Sequence, residues 1–124
     1  CIRDRMGHTI IVGRGGAYLT ADLWNTFHIR IIGDVKSRIS YIQRSRSLSA
    51  KEAKSLINTT DRARAKYVKQ HLNADIATPT TYHLIVNTDE VGDEFVAKLI
   101  GDAVLAWEEE KETEMNLWES AKKA

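Results

Sequence analysis

The sequence predicts an α/β domain, a thin parallel sheet flanked by helices. Three observations carry that reading. Short β-branched runs recur along the chain, stretches of helical period follow or separate them, and the runs are apolar enough to be buried on both faces.

The first run, "HTIIV" at 8–12, reads as a strand closed by a glycine turn at Gly13, and "FHIRII" at 27–32 as a second strand closed by Gly33. Asp34 is placed to cap the helix "VKSRISYIQRSR", in which Val35, Ile39 and Ile42 recur at helical spacing. Ser47 or Ser49 then opens a longer helix, "AKEAKSLINTTDRARAKYVKQHL", with Ala53, Leu56, Ile57, Thr60, Tyr67 and Val68 on one stripe. Residues 73–81, with the only proline, read as a loop. "YHLIVN" at 82–87 is the third strand. Thr88 or Asp89 is then expected to cap the helix "EVGDEFVAKLIGDAVLAW", apolar over Phe95, Leu99, Ala103 and Ala106. The tail from residue 108 is charged and helix-forming, and it leaves Trp107, Met115, Leu117 and Trp118 for a partner, a neighbouring domain or water. Three strands make a narrow sheet, so a further strand or a second chain is expected at its edge.

Composition excludes several classes. The 43% apolar and 28% charged shares are globular values, and 124 residues are enough for one core. A single cysteine, Cys1, excludes an internal disulfide framework, no Cys/His spacing fits zinc, and a reducing cytoplasm is the expected compartment. No apolar run is of bilayer length, and the opening residues hold no signal-length apolar segment, so no membrane partner is expected. The chain begins without methionine, on the approach to a strand, which points to sequence upstream. His8, His28, His71 and His83 are scattered and read as packed or surface imidazoles; no metal site is assigned.

Charge is lopsided. Between Lys36 and Lys69 stand ten basic residues against Glu52 and Asp61, whereas from Asp89 to Glu119 eleven acidic residues stand against Lys98 and Lys111. The basic middle favours an anionic partner. Nucleic acid is the weaker choice, because the charges are spread round two helices and only Tyr41 and Tyr67 offer aromatic stacking there.

Ligands of open parallel sheets bind beyond the carboxyl ends of the strands. Arg14 stands at such an end, among Gly13, Gly15 and Gly16, where its guanidinium suits a phosphate or carboxylate; the plainer reading is a turn with an exposed charge. On the long helix, Arg64 falls in the centre of the apolar stripe and Asp61 near its edge. Either Arg64 lines a site or it pairs with Asp61 at (i, i+3). Arg38 flanks the stripe of the preceding helix, and Arg62 lies opposite the apolar stripe of a straight helix as a solvated charge, unless the helix breaks at "NTTDR".

In order, "IIVGRGGAYL", "FHIRIIGDVKSRISYI", "LSAKEAKSLINTTDRARAKYV" and "YHLIVNTDEVGDEFVAKLI" resemble the C-terminal part of the cytidylate-kinase-like nucleoside monophosphate kinases, over roughly residues 8–102. The resemblance implies a partial P-loop-kinase-like fold lacking the first strand and P-loop, over residues 1–107, with 108–124 as a charged helical tail. It implies an ATP- and Mg²⁺-dependent phosphoryl transfer to a pyrimidine monophosphate. By it, Arg14 resembles the strand-end arginine on the acceptor phosphate and Arg38 the arginine opening the lid. Asp61, Arg62 and Arg64 match D-R-x-R, whose arginines reach the phosphates and whose aspartate helps hold the acceptor.

Two departures qualify this. No G-x-x-x-x-G-K-[ST] occurs, so the donor nucleotide has no seat and the chain alone is expected to be inactive. Gly15 stands where cytidylate kinases proper carry an aspartate, so base preference does not transfer; the "RSRSLS" stretch is also short for a full lid. The expectation is a truncated kinase-like domain that binds nucleotide phosphates without transferring them. The alternative is a non-catalytic, homodimerising α/β domain of the same descent.

Overall fold

Two β-branched runs find each other and pair in parallel. In the computed structural model, which describes residues 9–13 and 15–123, β1 (Ile29–Ile32) lies beside β2 (Leu84–Asn87) in the register Ile29 with Leu84 through Ile32 with Asn87. Between them the chain crosses over through α2 (Val35–Arg46), α3 (Ala50–Leu72) and a 3₁₀ turn (Pro79–Thr81), as a parallel pair requires. A single turn, α1 (Gly16–Leu19), precedes β1, and α4 (Asp93–Lys123) follows β2.

Among the described residues the sheet has two strands, not three. Residues 9–12 form no strand, and Ile10 and Val12 are almost fully exposed. A β-branched run becomes a strand only where a neighbour accepts its hydrogen-bond ladder, and neither β1 nor β2 does so for this one. The predicted glycine turn is in part a helical turn: Gly13 takes a φ of 155°, after which Gly16–Leu19 coils, with the Leu19 N–H on the Gly15 carbonyl. The expected burial of both faces also fails, because Ile31, Ile32 and Ile85 are exposed.

The helix ends follow local chemistry. Asp34 caps α2 by accepting the Lys36 N–H at 2.9 Å, and Ser47, in the left-handed region, ends it. Ser49, not Ser47, opens α3: its hydroxyl accepts the Glu52 N–H at 3.1 Å while the Glu52 carboxylate accepts the Ser49 N–H at 3.0 Å. Asn73, left-handed again, closes α3. Neither Thr88 nor Asp89 caps α4. Asp89 spends its carboxylate on the Asp34 N–H, Glu90 turns left-handed, and the helix starts only at Asp93.

Among the described residues the buried apolar side chains are Ala53, Ile57 and Val68 of α3, Val86 of β2 and Val96 of α4. The stripe expected on α4 is displaced by about one residue: Phe95 is exposed and its neighbour Val96 is buried. The same helix runs unbroken from Asp93 through residue 108 to Lys123. No helix of the described residues is long and apolar enough to cross a membrane.

Candidate functional site

The carboxyl ends of the two strands are knitted together. The Thr88 N–H and hydroxyl both reach the Ile32 carbonyl, at 3.0 and 3.2 Å, and the Asp89 carboxylate accepts the Asp34 N–H at 2.7 Å. Asn87 steadies that exit, its side-chain oxygen accepting the Asp89 N–H at 2.9 Å. A side chain at Gly33 would stand about van der Waals distance from Thr88, Asp89 and the Arg38 Cγ. Arg38 therefore leaves the first turn of α2 directly over the end of the sheet.

There it meets α3. The Arg38 Nη1 and Nη2 donate to the two Asp61 oxygens at 2.7 and 2.8 Å, a forked, charge-assisted pair. The Arg64 Nη1 stands 3.8 Å from the Asp61 Oδ1, an ion pair without a hydrogen bond. Two guanidinium groups from two helices thus converge on one carboxylate. The (i, i+3) pair expected between Asp61 and Arg64 is present only as this looser contact, and the tighter partner of Asp61 is Arg38. That fork pushes the Arg38 pKa further up, against the opposing effect of burial.

The side chains of Arg38, Asp61 and Arg64 are 35%, 42% and 38% exposed, which leaves them within reach of a ligand. A pair this exposed contributes about 0.2–1 kcal/mol, too little for fold stability to be its main consequence. Arg62 is exposed on α3, as its position on the helix predicts. Arg14 lies outside the described residues. A Cβ at its neighbour Gly15 would stand 3.8 Å from Leu72 and 4.0 Å from Tyr67 of α3, in the turns that follow Arg64.

A second feature occupies the amino ends of the strands and was not read from the sequence. His28 and His83, 55 residues apart in sequence, stack with centroids at 5.1 Å, and Phe27 bridges His83 to Trp107 at 5.2 and 5.5 Å. The Thr20 hydroxyl gives its single hydrogen to the Gly16 carbonyl at 2.7 Å, so at 2.8 Å from His28 it accepts from Nε2–H, which fixes that tautomer. The His28 N–H in turn donates to the His83 Nδ1 at 2.8 Å. An open groove of about 420 Å³ beside this stack is lined by Trp24, His83, Trp107 and Glu110, and by neither Arg38, Arg62 nor Arg64. The only sequence signal for the cluster was the position of His28 and His83 at equivalent strand starts. Trp118, by contrast, lies beneath the Lys122 ammonium at 3.5 Å, while Met115 and Leu117 remain exposed. Among the described residues no three His, Cys, Asp or Glu side chains gather as a metal site would require.

Comparison with known proteins bears on both fold and family. The chain is similar over 85% of its length to the crystal structure of an uncharacterized protein from Eubacterium ventriosum, with a TM-score of 0.75 and 18% identity. It spans 61% of that protein, and the likeness is one of fold. No curated protein matches. The cytidylate kinase-like family model matches residues 1–90, a stretch that takes in both strands, α2, α3 and the arginine–aspartate cluster. The chain therefore belongs to the cytidylate kinase-like family.

Proposed function

We propose that this chain forms the acceptor side of a nucleoside monophosphate kinase-like phosphotransferase, part of a P-loop kinase fold, and that its arginines take the phosphate of a nucleotide. The observation that carries the reading is the convergence of Arg38 and Arg64 beyond the carboxyl end of β1, within the family-matched residues. Phosphoryl transfer depends mainly on positioning and on neutralising charge spread over phosphate oxygens, which is what guanidinium groups on separate helices supply. Arg14 and Arg62 complete the basic set in this reading. ATP and Mg²⁺ belong to the donor half of the reaction. The 124 residues carry no G-x-x-x-x-G-K-[ST] to hold them, so in this reading the chain by itself binds nucleotide phosphates and transfers nothing.

Isothermal titration with CMP tests the site. Arg14→Ala and Arg64→Ala should each weaken binding about ten-fold, the scale of one lost charge-assisted hydrogen bond. Lys98→Ala, which removes only the α4 pair with Asp102, should leave it unchanged. Equal affinity in wild type and both arginine variants would sink the reading.

A second reading is a homodimer built on the same domain. It is supported by the exposed Ile31 and Ile85 on the sheet, and by the opposite charges of α4 and the α2–α3 pair.

A further inference from the structure

We infer that Asp61 is a built-in competitor for the phosphate, a carboxylate that occupies the Arg38 fork until a phosphomonoester displaces it. This rests on the phosphate-site reading above and adds to it how the site is held when no ligand is bound.

The geometry carries the inference. A carboxylate taken by both terminal nitrogens of a guanidinium, at 2.7 and 2.8 Å, occupies the same bidentate edge that a phosphate would use. The second arginine stands beside the same oxygen at 3.8 Å, the arrangement of a cluster closed on an anion. Asp61 is tethered to α3, one turn before Arg64, so it competes at high effective concentration. Yet its side chain is 42% exposed, so it can swing into water without leaving a buried charge behind.

Charge selects the displacing ligand. With Asp61 in place, Arg38, Asp61 and Arg64 sum to one positive charge; with Asp61 turned away, the two arginines present two. A phosphomonoester dianion matches the open state, and a carboxylate or phosphodiester carries no more charge than the group it must displace. The apparent affinity for phosphate is lowered by the fraction of molecules in which the fork is free.

Titration calorimetry with inorganic phosphate, at low salt, on the full chain separates the possibilities. Asp61→Asn keeps the shape and removes the charge. It should bind phosphate about three- to ten-fold more tightly than wild type. In the double variant Asp61→Asn with Arg38→Ala that gain should disappear. If Asp61→Asn instead binds phosphate as wild type does, or more weakly, Asp61 is not a competitor, and the phosphate site itself still stands. If wild type and Asp61→Asn both bind neither phosphate nor CMP, the phosphate-site reading fails and the competitor falls with it.

Discussion

His28 shows how a single residue ties protonation to stability. Burial and the neighbouring His83 ring hold its pKa below the usual 6.5, and the Thr20 contact fixes it as the Nε2–H tautomer. The unfolded chain therefore binds more protons than the folded one just below pH 6.5, so stability is full above that pH and declines as pH falls through it. Urea midpoints should be lower at pH 5.5 than at pH 7.5, and the difference should shrink in His28→Gln. An unchanged difference in that variant would show that other groups carry it. At this scale the sequence was informative where charge and period coincide. Asp61 and Arg64 could be placed on one face of a helix by counting residues. The tighter partner, Arg38, could not, because its fork spans two helices and depends on how they pack.

Helices were the most legible elements because their ends are written in local chemistry. The bounds of α2 and α3 follow from Asp34, Ser47, Ser49 and Asn73, each acting on backbone groups within a few residues. The α3 capping box makes a direct prediction. Ser49→Ala removes one reciprocal hydrogen bond of the pair and should cost about 1 kcal/mol in denaturant unfolding. A loss below about 0.3 kcal/mol would mean that the contact is replaced by water. The start of α4 was misread because Asp89 has two possible uses and only the folded sheet chooses between them: it bonds the Asp34 N–H from the neighbouring strand exit. The phase of α4 was misread for a related reason, since its long apolar composition offers more than one stripe and packing selects the one through Val96.

At the level of the whole molecule, parallel pairing was legible from alternation, while the number of strands was not. A third strand is expected at residues 8–12, but a strand is a property of a pair, and among the described residues no strand pairs with it. The exposed isoleucines and the opposed charges of α4 and α2–α3 bear on assembly. If the chain self-associates as the second reading holds, sedimentation equilibrium at micromolar concentration should give twice 14.0 kDa, and added salt should lower that mass. A monomer at all salt concentrations would exclude it.

The stitch between Asp89 and the Asp34 amide has a mechanical consequence. Arg38 lies one helical turn beyond Asp34, and its own N–H rests on the Asp34 carbonyl at 3.0 Å. The guanidinium is thus indexed to the strands and not to the loop that joins them. Any event that shifts the exit of β2, including a neighbour docking on that side of the sheet, is relayed through three short bonds to the aim of the arginine.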